Sequence, residues 1–294
     1  MSSWPRERAL LSQNFLRDPH LIAAILDRFD LGSDSSVYEI GPGEGLITRQ
    51  LAERYREVVA IEKDARLACR LQRAFRDYSN VSIHHGDFLR HPLPMSPYKV
   101  FANIPFNITS AIVTRLTAEE HPVDEAYLTM QQEAAHMYLG SPSQSLRSIL
   151  LKPWFELDVV HRFRRSDFVP VPRVDVMMLR LRKRGPPLVN AADRKLFRDF
   201  VVYLFTHWQP YQTTPLNEIV TRQQRRFMER ELGFDIDVKP TSISLEEWLA
   251  LFDQLKRVGD AQIRRRLAGS EQRLLHQQRA LQKIHRTRTV ERKM

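Results

Sequence analysis

A strand-like tetrapeptide running straight into a cluster of glycines constrains the fold of this chain more than any other stretch. Val37-Tyr38-Glu39-Ile40 reads as a buried strand and Gly41-Pro42-Gly43-Glu44-Gly45 as a turn. Leu46, Ile47, Leu51 and Ala52 beyond them recur at helical spacing. Strand, glycine turn and helix in that order open a βα unit, in which missing Cβ atoms let the backbone approach a bound molecule closely. A second strand, Glu57 to Ile61, ends in Glu62. That acid falls about 20 residues past the glycines, where a carboxylate grips a pair of ribose hydroxyls. The turn lacks a Gly-Lys-Ser/Thr ending, which argues against a phosphate-cradling loop. Its spacing also differs from the dinucleotide fingerprint, which carries one more residue before the last glycine. A nucleoside-bearing cofactor is the expectation.

The alternation continues. Asp64 to Phe75 is helix-like, Val81-Ser82-Ile83 is a third strand, and Gly86-Asp87-Phe88 follows it. Asp87 is placed either to accept a hydrogen bond from an adenine amine or to cap a turn. His84 and His85 invite a metal, but no further His or Cys lies at ligand spacing, so no metal site is expected. Cys69, mid-helix, reads as a core residue. A fourth apolar run, Tyr98 to Ala102, stops at Asn103-Ile104-Pro105-Phe106-Asn107. Proline pushes Ile104 into an extended conformation that can turn its carbonyl toward a site. Asn103 adds a second acceptor and Phe106 an aromatic face. Two acceptors beside a ring suit a planar base whose exocyclic amine is held and modified. The same residues also make an ordinary strand-to-helix turn. Further strands are expected at Glu125–Met130, after Glu156, and at Asp175–Leu181, giving an α/β fold.

Ahead of the glycine turn, Ser12-Gln13-Asn14-Phe15-Leu16 precedes a helix expected from Asp18-Pro19, a capping side chain followed by proline. Leu21, Ile22, Ile25, Leu26 and Phe29 form its apolar face. The Gln13-Asn14 pair faces either a ligand or solvent.

With 294 residues the chain is long enough for a large core. It contains no apolar run that would span a membrane, and its charged start lacks the core of a signal peptide. A single cysteine points to the reducing cytoplasm. The net charge is +10, and only 9 of the 45 basic residues are lysine. Arginine's planar fork favours a nucleic-acid partner, although arginine-rich codon usage produces the same ratio.

Glycine turn, acid after strand two, Asp87 after strand three and Asn103-Ile104-Pro105-Phe106 after strand four together resemble the S-adenosylmethionine (SAM)-dependent N6-adenine methyltransferases. The nearest resemblance is to the rRNA adenine N6-methyltransferases, which include the Erm macrolide-resistance enzymes and the KsgA small-subunit dimethylases. It covers residues from about Ser12 to Arg182. It implies a Rossmann-like SAM-dependent methyltransferase sheet with helices on both faces, a small C-terminal helical domain and a basic tail. It also implies that Asn14 and the backbone of Leu16 hold the methionine end of SAM, with Gly41 beneath it. Glu62 would take the ribose, Asp87 the cofactor's adenine, and Asn103 would border both cofactor and substrate. Asn103 and the Ile104 carbonyl would hold the target amine while Phe106 stacks on the base. Phe168-Val169-Pro170-Val171-Pro172-Arg173-Val174 resembles the family's Phe-x-Pro-x-Pro-x-Val element. Phe168 is thus either a second stacking face or a loop aromatic docked on the core. Where many relatives carry serine two places after the valine, this chain has Val176.

Arg182 to Pro187, charged and then broken by glycine and proline, marks the expected boundary between a catalytic domain (1–184) and a helical one (188–258). Phe197, Phe200, Val201, Leu204, Phe205, Phe227, Leu232, Leu245, Trp248, Leu249 and Phe252 follow helical spacing in the second domain, which is the family's RNA-contacting part. The tail, 259–294, has ten basic and two acidic residues from Ala261 on, so +8 of the +10 lies there. An RNA-gripping extension, a coiled-coil strand and a disordered basic tail compete. Charge density favours RNA gripping by a segment largely disordered without RNA, with Arg264, Arg265 and Arg266 among its contacts.

Within the family, Asn103-Ile104-Pro105-Phe106 and Lys152-Pro153-Trp154-Phe155-Glu156 resemble the Erm branch more than the small-subunit enzymes. That branch implies methylation, single or double, of one adenine in the peptidyl-transferase loop of 23S rRNA by a cytoplasmic monomer. Resistance to macrolides, lincosamides and streptogramin B would follow. The alternatives are KsgA-type dimethylation of small-subunit rRNA and a non-enzymatic nucleic-acid-binding relative.

Overall fold

In a computed structural model, which describes residues 14–28, 32–209, 215–278 and 280, the apolar runs become strands of one twisted sheet and a short ribbon. The strands are β1 (Phe15–Leu16), β2 (Ser36–Ile40), β3 (Glu57–Glu62), β4 (Val81–His85), β5 (Lys99–Asn103), β6 (Glu125–Gln131), β7 (Phe155–Phe163), β8 (Phe168–Val169) and β9 (Val176–Lys183). The sheet runs β4-β3-β2-β5-β6-β9-β7. Its first five strands pair in parallel, and β9 lies antiparallel between β6 and β7. From β2 the chain moves outward to β3 and β4, then returns to lay β5 and β6 on the other side. The carboxyl ends of β2 and β5 therefore flank the point where strand order reverses, which is where open α/β sheets place ligands.

The helices of this sheet unit are α1 (Pro19–Leu26), α2 (Leu46–Ala52), α3 (Ala65–Ala74), α4 (Thr109–Leu116) and α5 (Gln132–Leu139). Asp18 caps α1 by accepting from the His20 N–H, with proline at the first helical position. Asp64 caps α3 through the Arg66 and Leu67 N–H groups. Gly45 at the start of α2 makes no side-chain cap bond. A cap contributes about 0.5–2 kcal/mol, whereas burying one Leu or Ile contributes about 1.5–3 kcal/mol. Packing of Ile47 and Leu51 against Val37, Val58, Ile22, Ile25 and Leu26 therefore holds α2 in place. Phe29, expected on the same face of α1, lies outside the described residues. Cys69 departs from expectation: Ala68 and Leu71 face the core, and the thiol one residue away is exposed.

The described residues form two compact units. One holds those up to Leu139 together with Phe155–Gly185. The other holds Gly140–Trp154 and those from Pro186 on. The chain thus crosses at Gly185-Pro186, and the second unit also takes in a segment that the sequence pattern leaves in the first. In that segment α6 (Leu146–Leu151) starts at a reciprocal Ser145–Ser148 capping box. The Leu150 carbonyl accepts from Arg198, and the Gln144 N–H reaches the Thr241 carbonyl at 2.9 Å. The remaining helices are α7 (Arg194–His207), α8 (Leu216–Ile219), α9 (Arg222–Leu232), α10 (Leu245–Val258) and α11 (Ala261–Leu267). Their core is aromatic: Phe197 meets Phe252 and Trp154 edge-on at 5.1 and 5.8 Å, and Phe200 meets Trp248 at 5.9 Å. On α9 it is Met228 that is buried, while Phe227 is exposed.

The tail departs from expectation as well. Residues 261–267 and 270–278 are helical, with Ile263, Leu267 and Ser270 buried. Two buried apolar residues, Ile263 and Leu267, and a cap at Asp260 overcome the repulsion among its arginines. Residues 281–294, including Leu281 and Ile284, lie outside the described residues. Among the described residues no helix is long and apolar enough to cross a membrane.

Candidate active site

The turn after β2 is left-handed at Gly41, with φ 68° and its N–H donated to the Ile61 carbonyl at 3.0 Å. A Cβ placed there would meet nothing within 4 Å, because this position opens on a cleft. Gly43 is glycine for the opposite reason. A Cβ there would enter the van der Waals envelope of the Phe15 ring, which lies on the turn. Phe15 had no role in the sequence pattern, yet it forms one side of the cleft.

Asn14, Phe15, Gly41, Asn103, Ile104, Pro105 and Phe106 line this cleft, which holds about 320 Å³ counted out to its open mouth. Three stretches distant in sequence thus converge. The Asn103 amide nitrogen donates to the Asn14 carbonyl at 2.6 Å. That bond ties the lead-in segment to the end of β5 and commits the amide nitrogen, not the oxygen. The Ile104 N–H is satisfied by the Thr129 carbonyl of β6 at 3.1 Å, which fixes the peptide ahead of Pro105. Phe106 opens a short 3₁₀ turn and is half-buried, packed against the core while lining the cleft.

The other expected residues lie outside the cleft lining. Glu62 is 1% exposed. It accepts from the N–H groups of Gly43 (3.0 Å) and Asp64 (2.8 Å), so it braces the glycine turn from the end of β3. Burial pushes its carboxyl up, and those N–H groups pull it only part of the way back. Asp87 accepts from Lys63 Nζ at 2.9 Å and from the Leu89 N–H at 3.0 Å. The Lys63 bond, ahead of the smaller contribution from the Leu89 N–H, holds this carboxyl below its usual range. Asp87 is therefore a turn cap with its second oxygen on an exposed lysine. Leu16 buries its side chain in the core, and its backbone pairs antiparallel with β8, Leu16 opposite Phe168.

Phe168 needs correction as a stacking face. It is 0% exposed and packs edge-on to Phe163 at 5.2 Å, so the core takes the whole ring. Pairing of β8 with β1 turns the ring inward and leaves Val169 exposed. Arg264, Arg265 and Arg266 lie on α11, all exposed. A further residue with no role in the sequence pattern is Glu39 on β2, 1% exposed. Its Oε2 accepts from the Thr48 hydroxyl at 2.6 Å and its Oε1 has no partner.

A mostly parallel sheet with a cleft at its switch point, lined by a glycine turn and an Asn-x-Pro-Phe corner, defines a doubly wound α/β protein. The family model for ribosomal RNA adenine dimethylases matches residues 5–257, and the chain belongs to that family. An rRNA adenine N-6-methyltransferase of Aeromicrobium erythreum is 42% identical over 199 residues, covering 67% of this chain. The chain spans 58% of that relative's length. A ribosomal RNA small subunit methyltransferase A of Bacillus mycoides is 32% identical over 262 residues, covering 83% of this chain and 90% of the relative. The crystal structure of the 23S rRNA methyltransferase ErmE superposes with a TM-score of 0.75 at 34% identity, over 83% of this chain and all of that one.

Proposed function

We propose that this chain is a SAM-dependent methyltransferase that modifies N6 of one adenine in the peptidyl-transferase loop of 23S rRNA, and so confers macrolide-lincosamide-streptogramin B resistance. The observation that carries this reading is the Asn103 corner. Its amide nitrogen is committed to Asn14, which leaves its oxygen to accept, and Ile104 and Phe106 line the same cleft.

The residues present fit SAM. Gly41 leaves open the space a Cβ would point into, and Asn14 borders the same space for the methionine end. Glu62 accepts from backbone N–H groups of the turn and would offer a remaining lone pair to the ribose hydroxyls. Asp87, past the end of β4, would also accept the adenine amine on a lone pair that Lys63 and the Leu89 N–H leave. SAM supplies an electrophilic methyl group on a sulfonium.

An exocyclic adenine amine is a poor nucleophile because its lone pair is delocalised into the ring. Asn103 Oδ1 and the Ile104 carbonyl would accept its two hydrogens and draw the nitrogen toward tetrahedral geometry, which localises that pair. No strong base is needed for this step; the contribution is positioning and preorganised dipoles. The target base has to leave its stack, and a ring such as Phe106 returns about 1–3 kcal/mol of that cost.

Sequence identity to a small-subunit enzyme keeps dimethylation of small-subunit rRNA as the second reading. Expression in a macrolide-sensitive bacterium, followed by primer extension on its rRNA, separates the two. Arrest at one adenine of the 23S peptidyl-transferase loop, with raised macrolide tolerance, is expected. Arrest only in small-subunit rRNA would replace the first reading with the second, and unmodified rRNA would remove both.

A further inference from the structure

The family match ends at residue 257, yet the chain continues as α11 and a further helical run over residues 270–278. Two adjacent side chains of α7 fasten that extension. Asp199, itself 3% exposed, accepts the N–H groups of Gly269 (3.1 Å) and Glu271 (3.0 Å) and so caps the last helix from outside it. Arg198 grips the Glu271 carboxylate with two guanidinium nitrogens, the Nε contact being 2.8 Å. Both acids at the junction are thereby neutralised, Glu271 by Arg198 and Asp199 by Lys195 at 2.6 Å.

What remains facing outward is cationic. Arg264, Arg265 and Arg266 are exposed, and none makes an ion pair or side-chain hydrogen bond among the described residues. Successive helix residues point about 100° apart, so the three fan over about 200° of the side opposite buried Ile263 and Leu267. Three guanidinium forks on one docked turn suit a row of phosphates better than any neutral or compact ligand.

We propose that α11 is a preformed cationic ledge, held in place by Arg198 and Asp199, that takes the sugar–phosphate backbone of RNA. The choice of RNA rests on the methyltransferase reading above. Because the ledge is docked beforehand, RNA binding does not bear the cost of ordering it. Phosphate contacts fix position without reading bases, so the ledge adds affinity and not target choice.

The test compares the full chain with an R264Q/R265Q/R266Q variant. Both are titrated across a salt series with a 23S rRNA fragment and with a scrambled RNA of equal length. Each lost phosphate contact removes about 0.7–0.9 from the slope of log K against log salt. The variant is expected to lose about 2 from that slope on both RNAs, with SAM affinity unchanged. An unaltered slope overturns the ledge.

Amide hydrogen exchange tests the docking. In the free protein the Gly269 and Glu271 amides should exchange slowly, and Asp199→Ala should speed them and weaken RNA binding although all three arginines remain. Exchange at unfolded-chain rates in the free wild type would mean that the ledge is not preformed. Methyl transfer assayed on the same RNA keeps the two readings apart. Slope loss without methyl transfer sustains the ledge and removes the catalytic reading; methyl transfer with an unaltered slope does the reverse.

Discussion

Glu39 and Glu62 in the sheet unit and Asp199 in the helical unit are buried to nearly the same degree, yet their surroundings treat them in opposite ways. Burial pushes the Glu39 carboxyl up to about 8; the Thr48 hydroxyl works against this and the neighbouring Glu62 charge adds to it. Glu62 is likewise raised by burial and has only backbone N–H groups to offset it. For Asp199 burial also acts upward, but Lys195 and the two N–H groups of the tail helix outweigh it, leaving the carboxyl below its usual value. Among the described residues neither sheet acid has a cation at ion-pair distance, whereas the helical acid does. An unpaired buried carboxyl costs stability, so its presence marks a place where something other than stability is served. The sheet unit holds its acids unpaired near the ends of β2 and β3. The helical unit spends its acid as a fastener.

That contrast is broken most sharply at the cleft. Asn103→Ala removes one acceptor from the reacting amine, and loss of one positioned polar group costs about 10²–10³-fold in turnover. Methyl transfer should fall at least that far, while SAM affinity measured by calorimetry weakens less, through the freed Asn14 segment alone. A variant retaining near-normal turnover would show that the corner is merely a turn. Glu62→Gln comes next. A hydrogen bond to a charged group is worth about 1.5–3 kcal/mol, so SAM affinity should drop about 10–100-fold at neutral pH. Because the native carboxyl is raised, wild-type affinity should itself fall as pH drops through that raised value. The two proteins should then converge in acid, and a wild-type affinity indifferent to acid would break the assignment.

Asp199→Ala probes the fastener. It should leave SAM affinity unchanged and cost about 1–3 kcal/mol, the usual price of two buried N–H groups left without an acceptor. Tryptophan-monitored urea unfolding reads this, since Trp154 and Trp248 lie in the same unit. A carboxyl lowered in the native state stabilises above its unfolded value of about 3.9. That contribution disappears as pH falls through the lower native value, so the gap between wild type and variant should close in acid.

The two units were also unequally legible in the sequence. Asn14, Gly41, Asn103, Ile104 and Phe106 converge in one cleft, and each lies in a short motif beside a strand or its lead-in. Parallel βα topology brings such motifs to one edge, so local pattern sufficed. The Asn103–Asn14 bond spans 89 residues and the pairing of Leu16 with Phe168 spans 152, and no periodicity encodes either. Phe168 was ambiguous for the same reason: whether an aromatic faces a ligand or the core depends on a strand far away in the chain. In the helical unit the tail's charge argued for disorder. The group that orders it, Asp199, lies 70 residues upstream of Gly269 and carries no motif.

Glu39 provides the finest test. Below an unfolded value of about 4.3 the carboxyl is protonated in both states and contributes no pH dependence. As pH rises from there toward about 8 the unfolded chain releases the proton while the native protein keeps it, so stability declines across that window. Glu39→Gln keeps the shape and the Thr48 contact but cannot ionise. Urea unfolding at several pH values should therefore show a flatter profile for the variant, the difference growing with pH by at most about 1.4 kcal/mol per unit. Parallel profiles would mean that Glu39 is ionised in the native state. It would then need a cation partner, and the distinction drawn between the acids of the two units would no longer hold for it.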